Sequence, residues 1–169
     1  MTYRIRLERN TLRFAAAHFT TSGGECEPLH GHNYDVTVEI TGTLTADSWV
    51  IDFSDAKKLI AAICKEVDHK FILQAVSPVL GISRSGDSYE LTHSDKRYVI
   101  PASDVAALPI DNSTAERLAE WFAARISAEL AARGAANVGS ISVGIEEAPG
   151  QAGWYTLALS RPKAAPTEG

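Results

Sequence analysis

Two histidines one residue apart, in Leu29-His30-Gly31-His32-Asn33-Tyr34, carry the sharpest chemical signal in this chain. Side chains alternate along an extended strand, so His30 and His32 point to the same side and can converge on one ion. Neutral imidazole is a good zinc ligand. A third ligand must come from elsewhere, and His18 is the natural candidate, at the end of a strand that a hairpin would lay alongside. Three histidines leave a fourth position open, the arrangement of a catalytic rather than a structural zinc. The alternatives are a closed structural site, in which Cys26 joins the three histidines, and a chance pair on an ordinary strand. Spacing alone does not separate them.

Other residues could do chemistry beside such a site. Cys26 lies four residues before His30, in Glu25-Cys26-Glu27-Pro28. A thiol next to zinc and imidazole can ionise and act as base or nucleophile; otherwise it is a loop cysteine. Asp68-His69 pairs an acid with an imidazole, although adjacent residues need not face each other, and the helix dipole alone favours a histidine there. Glu147 ends an apolar stripe with Val143 and Ile145. A carboxylate there can bind a donor-rich heterocycle bidentately, or the strand simply runs out into solvent. Glu116 is accounted for as the third residue of a capping box, Ser113-Thr114-Ala115-Glu116. His93 reads as a solvated turn residue and Cys64 as packing.

The elements that must position these residues follow from periodicity. Tyr3 to Phe19 reads as strand, with an interruption at Arg9-Asn10-Thr11, and Tyr34 to Gly42 alternates clearly, in a strand expected to begin before His30. Ser54 is placed to cap a helix ending near Val67, with Ala56, Leu59, Ile60, Ile63 and Val67 on its buried stripe. A second helix buries Leu118, Trp121, Phe122, Ile126 and Leu130 and stops at Gly134. Ile141 to Ile145 and Trp154 to Leu159 are strands. Between the helices, Gln74 to Asp111 holds a small hairpin, Tyr89–Thr92 with Arg97–Ile100. The layout is α+β with antiparallel pairs, one domain over 1–161 and a frayed polar tail over 162–169.

The 169 residues are 45% hydrophobic and 22% charged, which describes a soluble globular chain. A formal net charge of −5 argues against a nucleic-acid partner. No apolar run approaches the roughly 20 residues that span a bilayer. Nothing near Met1 resembles a signal peptide, and two cysteines are too few for a disulfide framework, so a reducing cytoplasm is expected.

Taken together, Phe14-Ala15-Ala16-Ala17-His18, the His30-Gly31-His32 run, Val50-Ile51-Asp52-Phe53, Asp68-His69 and Thr114-Ala115-Glu116 resemble, in that order, the 6-pyruvoyl-tetrahydropterin synthase family. The offset from Cys26 to His30 is similar to its 6-carboxytetrahydropterin synthase branch, in the deazapurine (queuosine precursor) pathway. The resemblance implies the tunnelling fold, a four-stranded antiparallel sheet with two helices on one face. It implies homo-oligomers, trimers stacked into hexamers, with sites at subunit boundaries. It also implies a substrate, 7,8-dihydroneopterin triphosphate, which loses triphosphate and, in this branch, acetaldehyde. By carry-over His18, His30 and His32 hold Zn2+, Cys26 abstracts a proton, Asp68 and His69 form a relay, and Thr114, Glu116 and Glu147 hold the pterin. Glu146 would face the other way.

This chain departs from the family pattern in places. The usual Asp-His-x-x-Leu-Asn reads Asp68-His69-Lys70-Phe71-Ile72-Leu73-Gln74, the usual Pro-Thr-x-Glu begins with Ser113, and the segment 74–111 is inserted. Glu27, three residues before His30, resembles a glutamate of members that cleave the side chain to 6-hydroxymethyl-dihydropterin for folate synthesis. The 6-pyruvoyl product and a non-catalytic pterin-binding relative are the remaining readings. Lys57, Lys58, Lys70 and Arg84 are candidate phosphate contacts by charge alone.

Overall fold

The computed structural model describes residues 1–8 and 11–159. The expected N-terminal strand forms as β1 (Tyr3–Leu7) and β2 (Arg13–His18), and part of the expected interruption, with the tail 162–169, lies outside the described residues. A tight hairpin follows, β3 (Thr21–Ser22) and β4 (Glu25–Cys26), turning on Gly23 and Gly24, both at positive φ. Glycine adopts that conformation without steric cost. The long strand β5 (His30–Gly42) begins at His30 and not before it. Pro28, two residues earlier, has no N–H to give to a ladder.

Helix α1 (Phe53–Val67) buries the predicted stripe, Cys64 included. Its N-cap is Asp52 rather than Ser54: Asp52 Oδ1 accepts from the Ser54 and Asp55 amides at 2.8 and 3.0 Å. Next come β6 (Lys70–Gln74), β7 (Gly81–Ser85), β8 (Ser88–His93), β9 (Lys96–Pro101), a 3-10 turn at Ala102–Asp104 and β10 (Val105–Leu108). Helix α2 (Ala115–Ala132) is capped by Thr114 and ends before Gly134, at positive φ. Strands β11 (Val138–Ala148) and β12 (Gln151–Ala158) complete the chain's described part.

The main sheet has seven strands, ordered β10-β6-β2-β5-β11-β12, with β1 also paired to β5. The expected antiparallel sheet is its centre; β6 and β10 extend it through parallel pairs, β6 on β2 and β10 on β6. The expected hairpin gains a third strand, β7, and forms a separate sheet. Both helices cover one face. There Tyr34, Val36, Val38 and Ile40 of β5 and Ile141, Val143 and Ile145 of β11 meet Ile60 and Ile63 of α1 and Phe122 and Ile126 of α2. Each such side chain contributes on the order of 1.5–3 kcal/mol of burial. A second apolar cluster, Phe19, Cys26, Phe71, Leu73, Leu80 and Leu91, joins the small sheet to the main one.

Candidate active site

The pairing of β2 with β5 sets the site. His18 lies directly opposite His30, and Ala16 opposite His32. Gly31 between them is required by space, because a Cβ there would stand 2.9 Å from the Ala16 carbonyl oxygen. The three imidazoles close up, with ring centroids 4.6 Å (His18–His30), 4.9 Å (His30–His32) and 5.3 Å (His18–His32) apart. One ligand nitrogen from each lies within 4.8 Å of the others.

Hydrogen bonds select the nitrogens. His18 Nδ1 donates to the Ser113 carbonyl at 2.9 Å and His30 Nδ1 to the Pro28 carbonyl at 2.8 Å. Each ring is thereby held with Nε2 unprotonated, the state in which histidine ligates a metal. The donor set therefore fits a divalent metal such as zinc. Tyr34 donates its hydroxyl to His18 Nε2 at 3.1 Å. Burial, reinforced by the His30 and His32 charges, lowers the His18 pKa to about 4 against the opposing pull of its Ser113 hydrogen bond. His18 is thus neutral at physiological pH.

Ser113 is the support that periodicity misassigns. Its amide donates to Gln74 Oε1 at 2.9 Å and its hydroxyl to the Phe19 carbonyl at 2.9 Å, so it is occupied in holding His18 and leaves the cap to Thr114. Glu116 is therefore the second helical residue, not the third of a capping box. The N-terminus of α2 presses on β12 at Gly153, where a Cβ would lie 2.6 Å from the Glu116 amide. That contact brings Thr114 and Glu116 to a cavity of about 380 Å³ shared with His18, Glu27, His30 and Glu147. Glu147 Oε1 is buried with no hydrogen-bond partner, and burial pushes its carboxyl above the usual range. An orphaned acceptor on a cavity wall suits a ligand rich in N–H donors. Glu146 points away and accepts from the Gly150 amide at 2.6 Å, tying the β11–β12 turn.

Cys26 and Glu27 part company. Glu27 lines the histidine cavity, whereas Cys26 is 8% exposed and sits in the second apolar cluster. Burial pushes its thiol up, with Lys96 opposing. Both cysteines are free, and Cys64, with its thiol pushed up to about 12 by burial, belongs to the core. Asp68 and His69 do face each other: Asp68 Oδ2 meets His69 Nδ1 at 3.0 Å, with His69 at φ 57°. Asp68 Oδ1 accepts from the Ala15 amide at 2.8 Å, and this bond holds its carboxyl below the usual range. The pair does not line the cavity of His18, His30 and Glu147; His69 opens onto another one, which it shares with His32, Lys70 and Phe71.

Among the candidate phosphate contacts, Lys70 donates to the Ser103 carbonyl and Arg84 stacks over Tyr89, while Lys57 and Lys58 line a groove beside Arg13 and Lys65. His93, expected to be solvated, binds the Gly24 carbonyl at 2.7 Å. No described helix is long and apolar enough to cross a membrane.

A curled, mostly antiparallel sheet under two helices, with histidines and carboxylates gathered at one end, defines the tunnelling-fold class. Residues 7–157 match the model of the 6-pyruvoyl tetrahydropterin synthase family, and the chain belongs to that family. A Methanocaldococcus jannaschii protein, provisionally assigned as a 6-carboxy-5,6,7,8-tetrahydropterin synthase, is 37% identical over 145 residues, 85% of this chain and 89% of the relative. The Bacillus subtilis 6-carboxy-5,6,7,8-tetrahydropterin synthase is 30% identical over 111 residues, 64% of each chain. The 6-pyruvoyltetrahydropterin synthase of Plasmodium vivax, in a variant altered at a catalytic glutamate, superposes with a TM-score of 0.88 at 30% identity. That match covers 94% of this chain and 99% of the other.

Proposed function

We infer that this chain is a zinc-dependent lyase acting on 7,8-dihydroneopterin triphosphate and one water, with 6-carboxy-5,6,7,8-tetrahydropterin as product and triphosphate and acetaldehyde released. The observation that carries this reading is the cluster of three imidazoles, two of which, His18 and His30, share a cavity with the buried, unpartnered Oε1 of Glu147. Zinc, held by His18, His30 and His32, would supply Lewis-acid activation of the substrate side chain. Glu147 would accept hydrogen bonds from the pterin, aided by Thr114 and Glu116 at the start of α2. Cys26 would take a proton as thiolate, which its buried position disfavours and Lys96 favours. Asp68 and His69 lie outside this cavity, His69 opening onto the one that His32 lines; they would act as a relay at a site completed by the neighbouring subunit of a homo-oligomer, a trimer or hexamer of soluble, cytoplasmic protein serving the queuosine precursor pathway.

One observation favours a second reading, side-chain cleavage to 6-hydroxymethyl-dihydropterin. Glu27, not Cys26, presents its side chain to the cavity, and a solved relative is described as having a catalytic glutamate. A carboxylate at that place can act as the general base.

The test is a mass-spectrometric product assay on zinc-loaded protein, with Cys26→Ala and Glu27→Gln alongside. Carboxytetrahydropterin that disappears in Cys26→Ala is the expected result. Hydroxymethyl-dihydropterin that disappears in Glu27→Gln moves the chemistry to the second reading. Folded, zinc-bound protein that makes neither product overturns both.

A further inference from the structure

The small β7-β8-β9 sheet touches the hairpin that delivers Glu27, and the contact is built from hydrogen bonds as well as apolar packing. Strands β3 and β4 have two residues each, too short to hold themselves. On the β3 side Asn112 ties the hairpin twice, accepting from the Thr21 amide at 2.9 Å and donating to the Thr21 carbonyl at 2.8 Å. On the β4 side the acceptors are the carbonyls of Gly24 and Cys26, two residues apart. His93 binds the first at 2.7 Å and Lys96 donates to the second at 3.2 Å. His93 and Lys96 are themselves cross-strand partners, closing the β8–β9 turn with Ser94 at φ 51°. One turn therefore supplies both donors at the spacing β4 requires.

We propose that the β8–β9 turn is a positioning clamp: His93 and Lys96 grip the Gly24 and Cys26 carbonyls and so fix which way the Cys26-Glu27 pair faces. Successive residues on an extended strand point to opposite sides, so a single rotation of β4 would move both groups. With the clamp closed, the thiol rests against Phe19 and Leu91 and the carboxylate lines the histidine cavity. The Glu27 amide, bonded to the Thr20 carbonyl at 3.0 Å, ends the clamped stretch. Neither His93 nor Lys96 touches the cavity, so both are positioning residues. Lys96 has a second effect, since its ammonium opposes the rise that burial imposes on the Cys26 thiol. The consequence for turnover rests on the pterin-lyase reading in the form that uses Glu27 as base, because the closed clamp turns Cys26 away from the cavity; the consequence for thiol exposure does not.

The experiment compares Lys96→Ala, His93→Ala and the double variant with the conservative Lys96→Arg and His93→Gln, all zinc-loaded. The first readout needs no pterin: the rate at which iodoacetamide alkylates Cys26, followed by intact mass, with buried Cys64 as internal control. The double variant is expected to react about tenfold faster than wild type, because freeing the hairpin exposes the thiol. The second readout is turnover of 7,8-dihydroneopterin triphosphate. There kcat should fall about tenfold with KM within about twofold, and Lys96→Arg should recover most of the loss. Unchanged alkylation and kcat in the double variant would overturn the clamp, as would losses that track zinc content or that the conservative variants fail to rescue. If wild type makes no pterin product, the lyase reading fails and the alkylation rates alone decide the clamp.

Discussion

Two ends of the same sheet face behave as different materials. Along β5 the even-numbered residues from Val36 to Ile40 are sealed in the core, while on the same face His32 is half-buried and His30 stands exposed at the cavity. On β11 the same change occurs between Ile145, fully buried, and Glu147, which reaches the cavity. The pleat is continuous, so nothing in the backbone separates the two ends. What separates them is cover. Helices α1 and α2 lie over the apolar end, whereas only the first turn of α2 reaches the polar one, at Gly153. Stability and chemistry are thus drawn from one alternating pattern, divided at Tyr34.

The comparison is sharpened most by His30→Ala. Removing one of three imidazoles should abolish zinc binding and lower turnover at least about a thousandfold, while the melting temperature of metal-free protein stays close to wild type. Metal analysis and the product assay check this; retained stoichiometric zinc would sink the three-histidine site. The mirror experiment is Ile40→Ala at the covered end. It should cost roughly 2–5 kcal/mol in urea unfolding and leave zinc content at one per chain. Zinc loss in that variant at concentrations where it remains folded would show that the two ends are not separable.

How much of this was legible in the sequence differs between the two ends as well. Alternation in β5 and the helical stripes were plain, because each buries one face. Strand β6 was not, because Phe71, Ile72 and Leu73 are buried in succession, and a parallel strand covered on both faces has no alternation to read; β10 does alternate but is only four residues long. The histidines announced themselves by spacing and order. Their support did not: Ser113 looks like a helix cap until Gln74, Phe19 and His18 are seen to occupy its amide, hydroxyl and carbonyl. The Asp68–His69 contact depends on a left-handed φ at His69, which no local pattern marks. Alternation puts Cys26 and Glu27 on opposite sides, but which of them meets the cavity depends on contacts more than fifty residues away in sequence: Leu80 and Leu91 in the thiol's apolar cluster, and His93 and Lys96 on the hairpin carbonyls.

The smallest effect concerns the boundary residue itself. Tyr34 is fully buried, stacks on Phe14 at 4.6 Å between centroids, and gives its hydroxyl to His18 Nε2 at 3.1 Å. Because Ser113 already holds Nδ1, that same Nε2 is the nitrogen available to a metal, and metal binding must displace the hydroxyl. The Glu147 carboxylate, whose charge helps push the Tyr34 phenol above its ordinary range after burial itself, is the acceptor nearest to hand. Tyr34→Phe keeps the ring and its stacking but removes the hydrogen bond. Metal-free protein should therefore lose about 1 kcal/mol. Metal-bound protein, in which the bond is already broken, should lose less. The difference appears as zinc affinity, which should rise by up to about fivefold in chelator competition. Weaker zinc binding in Tyr34→Phe would mean that the hydroxyl supports the metal-bound state, and that the boundary between core and site lies deeper than Tyr34.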